Sequence, residues 1–170
     1  LVLGPGMCMD DGTPRQIVSP SPGEASITEW MASPLAVGNR DGEWLEVRFE
    51  NAVDLNGLVL SDLSSSGNAI EAEDCLKVAP GGHVLFARNA NPMENGGLER
   101  VDLELSLSLN NSDETIVLRV GDQVLDSVSY ERAKAGIATQ VDALGNVCDA
   151  VQAYGDGDLG TPGAPNPWCA

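Results

Sequence analysis

The chain has 170 residues, 26 of them acidic and nine basic, giving a formal charge of −17, with 19 Gly, 10 Pro and only 4% aromatic residues. The length fits one domain with extended ends, and the turn-rich composition favours many short strands. So acidic a surface excludes direct binding of nucleic acid or an anionic membrane, since either depends on Lys and Arg displacing counterions. No apolar run approaches the ~20 residues that span a bilayer.

Residues 1–23 contain Gly4-Pro5-Gly6, Asp10-Asp11-Gly12 and Ser19-Pro20-Ser21-Pro22-Gly23. This composition buries little, and it predicts an extended N-terminal arm anchored by Cys8 and dispensable to the core. Leu1, Val2 and Leu3 at its tip are candidate contact residues, because an extended apolar end can add to an exposed sheet edge.

A sandwich domain is predicted over residues 24–147. Its first strand is 25–31, followed by a Pro- and Gly-containing loop to Gly42. In residues 44–50, Leu45, Val47 and Phe49 alternate with Glu46, Arg48 and Glu50, which assigns one face to the core and the other to water. Strands follow at 55–60, 76–78 and 83–88, the last two separated by Ala79-Pro80-Gly81-Gly82. Val101, Leu103, Leu105, Leu107 and Leu109 alternate with polar residues and predict a half-buried strand or a connection between sheets. Residues 115–120 and 124–130 flank Gly121-Asp122-Gln123 as a hairpin, and 131–138 allows one or two helical turns. Seven to nine short strands at this spacing predict an all-β sandwich. Residues 148–170, rich in Gly and Pro, are predicted to form a disulfide-closed C-terminal tail.

The order Ile27-Thr28-Glu29-Trp30-Met31-Ala32-Ser33-Pro34, Asp41-Gly42-Glu43-Trp44-Leu45-Glu46-Val47 and Val53-Asp54-Leu55-Asn56-Gly57-Leu58-Val59-Leu60-Ser61-Asp62 resembles the opening strands of lamin tail domains, above all those of exported bacterial proteins. Pro80-Gly81-Gly82, residues 107–113 and Val124-Leu125-Asp126-Ser127-Val128-Ser129-Tyr130 continue the resemblance in the same order, over about residues 25–130. The segment from Tyr154 to Asn166 looks like the tail that often follows such bacterial domains. The resemblance implies an immunoglobulin-like sandwich and core positions for Trp30 and Trp44. It implies no activity, since the domain accompanies secreted hydrolases in bacteria and ends nuclear filament proteins in animals. The acidity, the four cysteines and the lack of a heptad-bearing rod set this chain apart from the animal members.

Cys8, Cys75, Cys148 and Cys169 show no CxxC or CxxH spacing, which favours two disulfides made in an oxidising compartment over zinc. Three pairings are open. Cys148 with Cys169 is favoured because the intervening Gly- and Pro-rich segment would otherwise fray, which leaves Cys8 with Cys75. The expected location is secreted, extracellular or at the cell surface. A first residue Leu1 reads as a processed mature chain or an excerpt from a longer one.

Catalysis by a Ser-His-Asp set would have to use His83, the one histidine, which lies inside a predicted strand without a Gly-x-Ser-x-Gly elbow. The expectation is a protein that is not an enzyme and requires no cofactor. Calcium is the metal its oxygen ligands would suit, at Asp10 and Asp11 or at Asp156 and Asp158, although neither run meets the helix-flanked loop pattern. Trp168 follows prolines in the tail, where an exposed indole would serve partner contact. The expected function is a non-catalytic structural or interaction module that binds a protein partner or copies of itself. The alternative is an accessory domain of a larger exported hydrolase that binds cell wall, glycan or the enzyme.

Overall fold

A computed structural model describes residues 2–104 and 107–170. Among these the strands are β1 (Met7–Asp10), β2 (Thr13–Gln16), β3 (Ala25–Met31), β4 (Trp44–Phe49), β5 (Val53–Asp54), β6 (Leu58–Ser61), β7 (Lys77–Val78), β8 (His83–Ala87), β9 (Leu103–Glu104), β10 (Ser112–Val120), β11 (Gln123–Arg132), β12 (Thr139–Val141) and β13 (Val147–Asp149), with one helical turn, α1 (Asn39–Gly42). The fold is all-β. A six-stranded sheet runs β13-β12-β3-β4-β8-β9 and a three-stranded sheet runs β11-β10-β6, while β1-β2 and β5-β7 are small two-stranded sheets. No helix of the described residues is long and apolar enough to cross a membrane.

The two larger sheets face each other across one core. Ile27, Leu45, Val47, Phe49, Val84 and Phe86 from the six-stranded sheet pack against Leu58, Leu60, Ile116, Leu118 and Leu125 from the other. Leu107 and Leu109 join this core, so the alternating leucines serve it mainly as a connection, with β9 confined to two residues and Leu105 outside the described residues. Trp30 is buried in the same core and stacks on Tyr130 at 6.0 Å. The β10–β11 hairpin turns at Gly121, whose φ of 54° lies in the left-handed region that glycine enters without steric cost.

The six-stranded sheet is covered on its other face as well. Met31, Trp44, Leu85, Ala87, Leu98, Ala138 and Ala150 form a second buried cluster, against which Tyr154 and Leu159 pack. The assignment of Glu46 to water is therefore corrected: it is completely buried, because residues of the C-terminal segment lie over it. Alternation in β4 separates two buried faces, one apolar and one partly polar.

Two terminal expectations change too. Residues 7–16 are a β-hairpin turning at Asp11 and Gly12, both with positive φ (48° and 85°), the pairing of dihedrals that suits a tight hairpin. The hairpin is tied to the body by the Cys8–Cys75 disulfide and by Arg15, whose guanidinium bonds both oxygens of buried Asp54 at 2.7 and 2.9 Å. Val18 adds a backbone N–H to Asp54 at 2.8 Å, so this segment is not a loose arm. At the other end β13 is a strand of the main sheet, paired to β12, which puts the start of the tail inside the sandwich. Residues 131–138 form no helical turn; β11 runs on to Arg132, and a bridge between Lys134 and Ile137 turns the chain at Gly136.

Candidate functional site: a polar row beneath the C-terminal strap

One line of side chains crosses the covered face of the six-stranded sheet. Cys148 stands opposite Gln140, Gln140 opposite Glu29, Glu29 opposite Glu46 and Glu46 opposite Leu85, on five neighbouring strands. The register of β3 shifts between Ile27 and Glu29, and this bulge places Glu29 on the covered face although Ile27, two residues earlier, points into the central core.

Residues 158–169 run over the row as a strap. Gly163 donates its N–H to Glu46 Oε2 at 2.7 Å, and Thr161 donates its N–H to Glu29 Oε1 at 2.9 Å. Gln140 Nε2 donates to the Pro167 carbonyl at 2.9 Å, and Cys169 closes the line through its disulfide to Cys148. Asn166 fastens the strap to the strand backbone, its Nδ2 donating to the carbonyls of Thr28 at 2.7 Å and Val141 at 3.0 Å. The approach is close enough to require glycine at position 160, where a Cβ would come within 2.9 Å of the Trp44 ring.

Glu46 also accepts from Thr28 Oγ1 at 2.7 Å and lies 2.9 Å from His83 Nδ1. His83 is thus paired with a buried carboxylate and not simply an isolated strand histidine. Its ring edges a groove of about 670 Å³ shared with Thr28, Arg48, Asp142 and Asn166. Burial pushes the Glu29 carboxyl up to about 8, the Thr161 amide opposes that shift, and the charge of Glu46 adds to it. The sequence reading missed Glu29 and Glu46. An outward Glu in an alternating strand carries the same local pattern whether water or a distant segment of chain covers it.

The residues singled out for metal fall in two neighbourhoods that share no hydrogen-bond partner among the described residues. Asp10 bonds Lys77 at 2.6 Å and Arg15 at 2.7 Å, which hold its carboxyl down at about 2, and Asp11 lies 3.3 Å from Lys77. Asp158 is buried and accepts the amides of Leu35 at 3.0 Å and Ala36 at 3.1 Å, while Asp156 is exposed and its own N–H bonds the Gly96 carbonyl. Cys8, Cys75 and Asp54 also bring two sulfurs and a carboxylate oxygen within 4.8 Å of one another. Both sulfurs are spent in the disulfide and Asp54 is paired with Arg15, so this group lacks the thiolates a metal would need.

Of the proposed contact residues, Leu1 lies outside the described residues, Val2 is fully exposed and Leu3 is half-buried. Trp168 is 66% exposed although its chain neighbours are fixed, Pro167 through Gln140 and Cys169 through a 3.1 Å bond from its N–H to Asp142. Leu144, Val147 and Val151 are exposed as well, and Val147 lies on the edge strand β13 next to Cys148, the disulfide partner of Cys169. Compared with known proteins, the chain matches no family model, no curated protein and no solved structure.

Proposed function

We propose that the chain is a non-catalytic extracellular structural module, an immunoglobulin-like sandwich of the lamin tail type, that works by protein contact with further copies of itself through the β13 edge. The observation that carries this reading is the use made of Glu29, Glu46 and His83. These side chains have the chemistry for acid–base work, yet both carboxyl groups take hydrogen bonds from the strap, and the histidine is held against one of them. Their arrangement serves cohesion. Cohesion in turn fixes the chain on both sides of Trp168, through Pro167 and Cys169, and leaves its exposed indole near the edge strand β13 as a contact for a partner. Two disulfides are compatible with an extracellular location.

Sedimentation velocity of the full chain over a wide concentration range tests the reading. Association is expected to strengthen with salt, because screening relieves repulsion between chains of charge −17. W168S is expected to weaken it by at least about tenfold, and H83Q to leave it unchanged. A chain that stays monomeric at every concentration and salt overturns the reading. So does a hydrolytic activity that H83Q abolishes with the circular dichroism spectrum intact.

A further inference from the structure

We propose that Glu29 is a proton-binding latch: its buried carboxyl group carries a proton that it donates to Thr161 Oγ1, so that closure of the C-terminal strap is linked to proton uptake. Four hydrogen bonds around Asn166 and Thr161 fix where the proton lies. Asn166 points one terminal atom at the carbonyls of Thr28 and Val141, at 2.7 and 3.0 Å, and two acceptors on one atom identify it as the NH₂ group. The other terminal atom is therefore Oδ1, and it lies 2.7 Å from Thr161 Oγ1. An amide oxygen only accepts, so the single proton of the Thr161 hydroxyl goes to Asn166. Thr161 Oγ1 also lies 3.1 Å from Glu29 Oε2, and with its own proton spent the hydroxyl can only accept there. The proton between them belongs to Glu29. Turning the amide of Asn166 over would free the hydroxyl proton for Glu29, but would set an oxygen against two carbonyl oxygens.

The surroundings favour the same form. Glu29 and Thr161 are both buried, and Glu46 stands directly opposite on β4. The other titratable or charged groups around the latch are His83 on β8, bonded to Glu46, Asp158 and Tyr154 of the covering segment, Arg100, which bonds the His83 carbonyl, and the exposed Glu99, which lines a groove with Thr161 and Arg100. None of them reaches Glu29 through a hydrogen bond. Desolvation, with Glu46 adding to it, disfavours a second carboxylate in this space and raises the group from 4.5 to about 8. A carboxyl raised in the folded state gives stability that is complete below its unfolded value and is lost as the pH rises through its folded value. Closure is thus tightest in acid and weakens between 4.5 and about 8.

Two measurements on the full, oxidised chain test this. The side-chain carboxyl carbon of Glu29, followed by NMR, is expected to titrate well above the ordinary 4.5, and titration within the ordinary carboxylate range overturns the proposal. E29Q keeps a donor toward Thr161 Oγ1 and an acceptor for its N–H, and cannot ionise. Relative to E29Q, the unfolding constant of the wild type is expected to rise by at least about tenfold between about pH 5 and pH 9. Parallel profiles overturn the latch, as does a pH dependence that survives in E29Q and disappears in H83Q, which would place the proton on the histidine.

Discussion

Trp44 donates its indole N–H to the hydroxyl oxygen of Tyr154 at 2.9 Å, with the two rings edge to face at 5.8 Å. The pair joins the second residue group of the six-stranded sheet, buried beneath its cover, to the segment that supplies that cover, 110 positions later in the chain. Desolvation raises the Tyr154 hydroxyl above the ordinary tyrosine range, so it stays neutral and available as an acceptor. Y154F removes the acceptor while keeping the ring, and leaves a fully buried indole N–H unsatisfied. The expected loss is about 1–3 kcal/mol in urea unfolding, without change in the slope of free energy against denaturant.

Arg15 and Asp54 give the hairpin at the N-terminal end its own pH signature. The hydrogen bonds from Arg15 hold Asp54 below its ordinary value. A lowered carboxyl contributes stability that is present above its unfolded value of 3.8 and lost as the pH falls through its lower folded value. R15A is therefore expected to unfold at lower denaturant than the wild type at neutral pH, and the gap should narrow as the pH falls below 3.8 through the lower folded values of Asp54 and Asp10. A gap that is constant with pH would show that the guanidinium acts through packing alone.

The disulfides should differ in what they hold. In the chain-entropy picture the 67-residue separation of Cys8–Cys75 contributes about 4 kcal/mol and the 21-residue separation of Cys148–Cys169 about 3 kcal/mol. C148S/C169S is expected to speed amide exchange in residues 158–169 ahead of β4 and β8. C8S/C75S should speed it in β1 and β2. Local exchange measured by NMR separates these outcomes from a uniform loss of stability.

How much was legible in the sequence depended on whether the signal was local. Leu45, Val47 and Phe49 in β4 and Ile116 and Leu118 in β10 alternate strongly enough to mark their strands and core face, while β8 shows as a short continuous apolar run and β11 through the turn before it. β12 and β13 have three residues each, too few for any period to show. Asp11-Gly12 is a hairpin signal in its own right, but Pro14 and the polar residues around it read as an arm. The site was harder to see. Glu29 reaches the covered face through a bulge, and its partner Thr161 is 132 residues away, so neither position carries a mark that local chemistry would expose.

Hydrogen exchange with peptide-level mass spectrometry, on the same chain at dispersing and at associating concentrations, tests most directly the claim that it works by contact at the β13 edge. Pairing of an edge strand satisfies backbone groups that are otherwise open to water, so exchange there must slow. Slowing is expected to concentrate in residues 144–151 and around Trp168, with β4 and β8 unaltered. Slowing confined to residues 2–16 or to β11, or exchange identical at both concentrations, would contradict it.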